Sequence, residues 1–342
     1  MVDILKYSVG IDVASSNLEA GFGFLSKELL SKRGRSRTFA NRKSGFKSLD
    51  AWITKQRKQT ARLSVIMEAT GVYHENLAHY LHSKGYDIYV IFPNKAKSYL
   101  LSLGLRAKND PIDSGGLTQM GLDQQHLEKW SPPSPVMRQL RGLTRHRQSI
   151  QQQITAVNNQ LHAIKSGFYE YGSVKSSLRR AISFHKKQIG KIDKEILQLL
   201  EQDALLKAKI EKIVKSIKGI GLLTMVILIA ETNGFQNFSS VQALIKYAGY
   251  DVIEQSSGKK KGKERISKKG NSRIRRILHM PALNMVSHKV GNFPTIYERI
   301  YQKTGIKMKG YVAIQRRLLC LLYSLWKKDQ AFDSNYQHPL KR

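Results

Sequence analysis

The sequence is poor in cysteine, in acid and in long apolar runs. Its one cysteine, Cys320, lies in the apolar run LLCLLYSLW, so it can form neither an internal disulfide nor a thiolate metal cluster. No stretch of about 18 uninterrupted apolar residues occurs, so no membrane-spanning helix is expected. The N-terminus MVDILKYSVGIDV lacks the charged region, apolar core and cleavage site of a signal peptide. No His/Cys cluster argues for zinc. Acids are scarce: 25 Asp and Glu stand against 58 Lys and Arg, a formal charge of +33. That excess points to a polyanion, nucleic acid before an anionic membrane surface. The chain has 342 residues, 41% of them hydrophobic, enough for two or three domains with buried cores. A cytoplasmic protein associated with nucleic acid is expected.

The patterning divides the chain. Strands are predicted over 5–13, 18–24 and 36–41, with a basic turn between the last two. A helix over 44–56 follows, carrying Phe46, Leu49, Trp52 and Ile53 at helical spacing. Then come a strand over 61–69, a helix near 75–83, a strand over 88–92 and a helix near 94–102. Three strands followed by alternating helix and strand predict a mixed α/β sheet covered by helices, resembling the ribonuclease H-like fold. SPPSPV (131–136) marks a boundary. Beyond it, Val136, Leu140, Leu143, Ile150, Ile154, Val157, Leu161 and Ile164 are spaced four-three-four, with Arg147 as the one break. A second run leads from Leu178 and Ile182 to Ile210, Ile213 and Ile217, after a turn over 165–173. Two heptad-spaced helices predict an antiparallel hairpin or a coiled-coil dimerisation arm. The last region opens with SIKGIGLLTMVILIAE (216–231), a helix-hairpin-helix pattern. There Gly219 and Gly221 would let backbone N–H groups approach a phosphate. The plainer alternative is a helix turn with glycine caps.

Chemistry-bearing residues stand out against this frame. Asp12 shares one face of its strand with Ser8, Gly10 and Ala14, while Tyr7, Val9, Ile11 and Val13 form the apolar face. A half-buried carboxylate there needs a partner or a metal. Glu68 ends another apolar strand. Asp110 and Asp113 lie in KNDPIDS, where Asp before Pro reads as a helix cap. Singly, each acid is best read as a capped or hydrogen-bonded group. Together, four acids at one sheet edge would repel, and a pair of divalent cations about 3.5–4 Å apart turns such a set into a phosphoryl-transfer site. The other constellation is 254–276, with Lys259, Lys260, Lys261, Lys263, Arg265, Lys268, Lys269, Arg273, Arg275 and Arg276. Gly258, Gly262 and Gly270 would permit close backbone approach. Ser257 is a hydroxyl among cations, a nucleophile if its proton were removed. Read from the residues alone, a solvated basic loop and an inert serine are the plainer alternatives.

The order GIDVA, MEATG, KNDPID, KGIG and SSGKKKGKERISKKGNSRIRRILHMPA resembles the insertion-sequence-110 family of transposases, the acidic-tetrad, bridge-RNA-guided recombinases similar to the Piv invertases. The resemblance covers nearly the whole chain. It implies a RuvC-like catalytic domain over 1–130, a coiled-coil segment over 131–210 and a C-terminal transposase domain over 211–342. It implies that Asp12, Glu68, Asp110 and Asp113 hold Mg²⁺, or Mn²⁺, and that Ser257 is the nucleophile, with Ser256 the competing assignment. One departure is Ser114-Gly115, where many relatives carry alanine after the last acid. The implied partners are donor and target DNA, a noncoding bridge RNA and further copies of the chain in a dimer or tetramer. Two alternatives stay open: a metal-dependent structure-specific nuclease without a serine intermediate, and a noncatalytic nucleic-acid-binding protein.

Overall fold

The computed structural model describes residues 2–104, 110–169, 171–253, 256–257, 260–261 and 265–333, with backbone alone at 256–257 and 260–261. These residues fall into two compact units, 1–132 and 133–342.

The first unit is built on one twisted sheet. β1 (Ile4–Val13) pairs antiparallel with β2 (Asn17–Ser26), and β3 (Ser31–Arg33) and β4 (Arg37–Ala40) both pair with β2. After α1 (Lys43–Gln56), β5 (Arg62–Glu68) lies parallel to β1. After α2 (Glu75–Ser83), β6 (Asp87–Ile91) lies parallel to β5. The order is β3-β2-β1-β5-β6, an antiparallel half joined to a parallel half, as in the ribonuclease H-like fold. Alternation assigns the faces. Tyr7, Val9, Ile11 and Val13 join Leu49, Trp52, Ile53, Leu77 and Leu81 of α1 and α2 in one core. The opposite face carries α3 (Pro93–Ser102) and α4 (Asp110–Asp123), packed through Ala96, Leu117 and Met120 onto Ile66, Tyr89 and Ile91. Where α4 crosses it, that second face of β1 carries Ser8 and Gly10, which lets α4 lie directly on the strand.

The second unit is mainly helical: α5 (Pro135–Ser166), α6 (Gly172–Glu201), α7 (Ala204–Ser216), α8 (Leu222–Thr232) and α9 (Val241–Ala248). A backbone ribbon follows, with β7 (Val252–Ile253) paired to β10 (Arg265–Ile266) and β8 (Ser256–Ser257) paired to β9 (Lys260–Lys261). The chain then runs through α10 (Ser272–Ile277), α11 (His279–Ser287), α12 (Phe293–Thr304) and α13 (Lys307–Lys328). α5 and α6 form a hairpin inside one chain, burying Leu140, Ile150, Ile154 and Leu161 with Ile182, Ile192 and Ile196. Arg147, the break in the apolar spacing, grips Asp193 of α6 at 2.6 and 3.1 Å, so a bidentate ion pair replaces one apolar layer. No helix among the described residues is long and apolar enough to cross a membrane.

Candidate active site

Strand register places two of the acids. β1 and β5 pair with Gly10 beside Ile66 and Ile11 beside Met67. The next step of that register sets Asp12 beside Glu68, at the carboxyl ends of both parallel strands. Registered neighbours share a face, and Ile66, two residues before Glu68, packs beneath α4. Both carboxylates therefore belong to the α4 face, and both are partly buried.

α4 brings the other two. It runs antiparallel to β1: a Cβ on Gly121 would meet Ser8, and a Cβ on Gly10 would meet Ser114 and Thr118. The same direction carries the start of α4 to the Asp12 end of the strand. Asp110 precedes Ser114 by four residues and Asp113 precedes Leu117 by four, so both acids lie on the sheet-facing stripe. Asp110 is exposed and Asp113 half-buried. The approach is close because Gly10 has no side chain; a Cβ there would stand 2.1 Å from the Thr118 nitrogen and 2.4 Å from the Ser114 oxygen. The Gly10 N–H donates to Thr118 Oγ1 at 3.1 Å, and that hydroxyl donates to the Ser114 carbonyl at 2.8 Å. Arg33 of β3 donates to the Gly115 carbonyl at 3.1 Å and tethers the second turn of α4. The helix N-terminus, with its partial positive charge, thus lies at the carboxylate-bearing edge.

One acid at this edge escaped the sequence reading. Glu19 pairs with Asp12 across β1 and β2, so it shares the α4 face, and Thr38 Oγ1 donates to its carboxylate at 2.6 Å. The signal was the parity of LEAGFGF, in which Glu19, Gly21 and Gly23 alternate with Leu18, Ala20 and Phe22.

The basic constellation lies in the second unit. Ser257 pairs with Lys260, and Ser256 with Lys261, in the β8–β9 hairpin. Lys259, Lys263, Gly258 and Gly262 lie outside the described residues. Arg265, Lys268, Lys269 and Arg276 are exposed. Two other cations are engaged within the protein: Arg275 donates to the Ala248 carbonyl at 2.8 Å, and Arg273 Nε stands 3.9 Å from Glu231. Gly270 serves the fold, since a Cβ there would fall 2.3 Å from the Tyr247 carbonyl oxygen. The backbone it approaches is the protein's own. Gly219 turns at φ +97° between α7 and α8, with the side chains of Asn284 and Met285 of α11 against it. Gly221 precedes α8 with open space around its α-carbon.

Comparison with known proteins fits both halves. The profile of the DEDD-type IS110 transposases matches residues 9–169, and that of the IS116/IS110/IS902 transposase family matches residues 211–298. The chain belongs to the IS110 family of transposases. All four acids fall within the first match, and Ser257 with the described basic ribbon falls within the second. The pilin gene-inverting proteins of Moraxella bovis and Moraxella lacunata are each 28% identical to this IS110 transposase over 329 residues, covering 96% of it and 98% of their own length. The Thermus thermophilus RuvC structure overlaps 33% of the transposase and 90% of its own chain, at 13% identity and a TM-score of 0.26. The strand order, with an antiparallel half joined to a parallel half, is that of the ribonuclease H-like fold. As a member of this family the protein is a DNA recombinase.

The acid set of the IS110 transposase is chemically apt for a hard cation, since it offers carboxylate oxygens alone. Among the described residues no three His, Cys, Asp or Glu side chains stand close enough together to hold a metal ion.

The second unit holds a buried carboxylate that its sequence pattern does not mark. Glu231 is buried in the apolar helix α8. Arg145 of α5 holds it bidentately at 2.8 and 2.9 Å, and Asn271 donates to it at 2.8 Å. Burial alone would push the Glu231 carboxyl up; the Arg145 bonds and charge, with Asn271 and Arg273, outweigh it and hold the group below its ordinary value. Asn271 also caps α10, accepting from the N–H groups of Arg273 and Ile274. One buried carboxylate thereby ties α5 and α8 to the start of the arginine-bearing helix. The clue was a lone acid in LLTMVILIAET.

Proposed function

We propose that the protein cuts and rejoins DNA at specific sites of a mobile element, with Ser257 as the nucleophile and Asp12, Glu68, Asp110 and Asp113 as the ligands of Mg²⁺. The observation that supports this most is the register of Asp12 beside Glu68 on the face covered by α4. The next step of the β1–β5 register beyond Ile11 and Met67 directs these two acids to the end of the sheet at which α4 starts. Bound there, Mg²⁺ would supply charge stabilisation at a phosphodiester and lower the pKa of a coordinated hydroxyl. The protein's own groups do the rest. The Ser257 oxygen forms a bond to phosphorus, the bond from phosphorus to the departing deoxyribose oxygen breaks, and the serine proton passes to solvent. The departing oxygen takes up a proton. Rejoining is the reverse attack by a deoxyribose hydroxyl on the phosphoserine, so no external energy source is needed.

The exposed cations Arg265, Lys268, Lys269 and Arg276 hold the DNA backbone in this reading, with Lys259, Lys260, Lys261 and Lys263 of the ribbon. The turn at Gly219 and Gly221 acts as a helix-hairpin-helix on a phosphate. A noncoding RNA of the same element selects the target by base pairing, and several copies of the chain assemble on the DNA. Functionally, 1–130, 131–210 and 211–342 are the catalytic, arm and serine-bearing parts. The test is recombination of a plasmid carrying the element's junction, in Mg²⁺, by Asp12→Asn, Glu68→Gln, Asp110→Asn and Asp113→Asn. Each variant should keep the wild-type circular dichroism and lose recombination. A variant that recombines at the wild-type rate removes that acid from the site.

A further inference from the structure

On the far half of the α5–α6 hairpin, cations stand almost without acids and beside exposed rings. Between Ile150 and Ile192 the sequence holds seven Lys and Arg residues and one acid, Glu170. The other acids of α6 (Asp193, Glu195 and Glu201) all lie toward its base. On α6, Arg180, Phe184, Lys187, Lys191 and Lys194 recur at intervals of four, three, four and three, so they form one stripe along the helix. All five are exposed. They lie away from the seam of Ile182, Ile192 and Ile196 that packs against α5. Phe184 sits inside this cationic stripe at 59% exposure. At the tip, Phe168 is 94% exposed and Tyr169 68%, with their rings edge-to-face at 5.1 Å. Tyr171, just across the turn, is exposed as well.

Exposed rings set among cations have two ordinary explanations. A contact with an identical arm would bury the rings, but it would also bring two sets of cations together, and like charges in contact are destabilising. A polyanion satisfies both features at once. Aromatic side chains offer faces on which unpaired bases stack, and flanking cations follow the phosphates. A paired helix hides its base faces, so exposed rings favour a strand that is already unpaired. Strand exchange by a recombinase unpairs DNA. With about 1.5 Å of rise per residue, the 32-residue α5 extends the rings some 48 Å from the base of the hairpin.

We infer that the far half of the α5–α6 hairpin is a binding arm for unpaired DNA, with Phe168, Tyr169 and Phe184 stacking on bases and Arg180, Lys187 and Lys191 contacting phosphates. This rests on the recombinase family alone, not on the serine or metal assignments, and its test is a binding measurement that does not need catalysis. The full-length protein is titrated with fluorescent oligo(dT), a duplex of equal length, and oligo(U). A triple variant, Phe168→Ala, Tyr169→Ala and Phe184→Ala, should weaken oligo(dT) binding about tenfold or more, since each stacked base contributes a comparable factor. Its duplex affinity should stay within twofold of wild type. Arg180→Gln with Lys187→Gln and Lys191→Gln should reduce the log–log salt slope for oligo(dT) by about 2, at about 0.7 per lost contact. All six side chains are exposed, so both variants should fold, and circular dichroism checks that. Unchanged oligo(dT) affinity in the ring variant overturns the inference. So does a shift in oligomeric state by light scattering with binding intact, which would assign the rings to self-association. Binding of oligo(U) tighter than oligo(dT) by tenfold overturns the assignment to DNA.

Discussion

Glu231 shows how much a single buried charge can organise. Its side chain is 1% exposed and depends on Arg145 for compensation. Arg145→Met should destabilise the second unit by about 3–5 kcal/mol, because it leaves a buried carboxylate with too few partners. Adding Glu231→Gln to that variant should recover part of the loss, read as the urea midpoint of each. The pH dependence follows from the same group. Its folded-state pKa lies below the ordinary value of 4.5, so its contribution is fully present above that value. It is lost as pH falls through the lower folded value. The wild type should lose stability on acidification below about pH 4.5 more steeply than Glu231→Gln, as thermal melts between pH 3 and 6 would show. Parallel curves would mean the carboxylate is not held in its charged form. At the other site, Glu19→Gln probes the acid that stands opposite Asp12. A reduced but measurable recombination rate is expected, since Glu19 already accepts from Thr38. Complete loss would place it among the essential acids.

At the scale of elements, the packing of α4 on β1 sets the position of Asp110 and Asp113. Gly10→Ala drives a methyl group into the backbone of α4. It should cost about 3 kcal/mol of stability and push the first turn of α4 away from Asp12, lowering recombination even where the protein is folded. Gly10→Ala with wild-type activity would show that the position of α4 does not control the site. The basic ribbon gives a second test. Lys259→Ala with Lys260→Ala and Lys261→Ala should weaken duplex binding across sequences and reduce the log–log salt slope by about 0.9 per lost contact. An unchanged slope would show that these lysines face solvent. Much of this layer was legible in the sequence. β1, β2, β4, β5 and β6 showed period-two or continuous apolar runs, and α1 and α2 showed helical spacing, because each buries one face. β3 lies in the segment expected to be a turn: Ser31, Lys32 and Arg33 are all exposed, so no alternation marks them. The break between α6 and α7 was also hidden. Ile196, Leu199 and Leu206 keep helical spacing through it, and only the Asp203 side chain, which accepts from the Leu206 N–H at 3.0 Å, starts a new helix.

Over the whole molecule, one property of composition was plain from the start: a charge of +33 without any long apolar run. It directed the reading to nucleic acid, and the match to DNA transposases agrees. The acids of the candidate site were legible as a set only through their order along the chain. What placed Asp12 beside Glu68 was strand register, which one sequence does not print. Glu231 and Glu19 were missed for a related reason: each looks ordinary until its neighbours in space are known. The proposal tested most directly is that DNA becomes attached to Ser257 during strand transfer. The most direct measurement is a denaturing gel of protein incubated with Mg²⁺ and labelled DNA carrying the element's junction. Wild type and Ser256→Ala should give a protein-linked DNA species that resists denaturant and disappears on protease digestion. Ser257→Ala should bind the DNA as well as wild type and give none. A Ser257→Ala protein that still forms the adduct, or that recombines at the wild-type rate, would contradict the account.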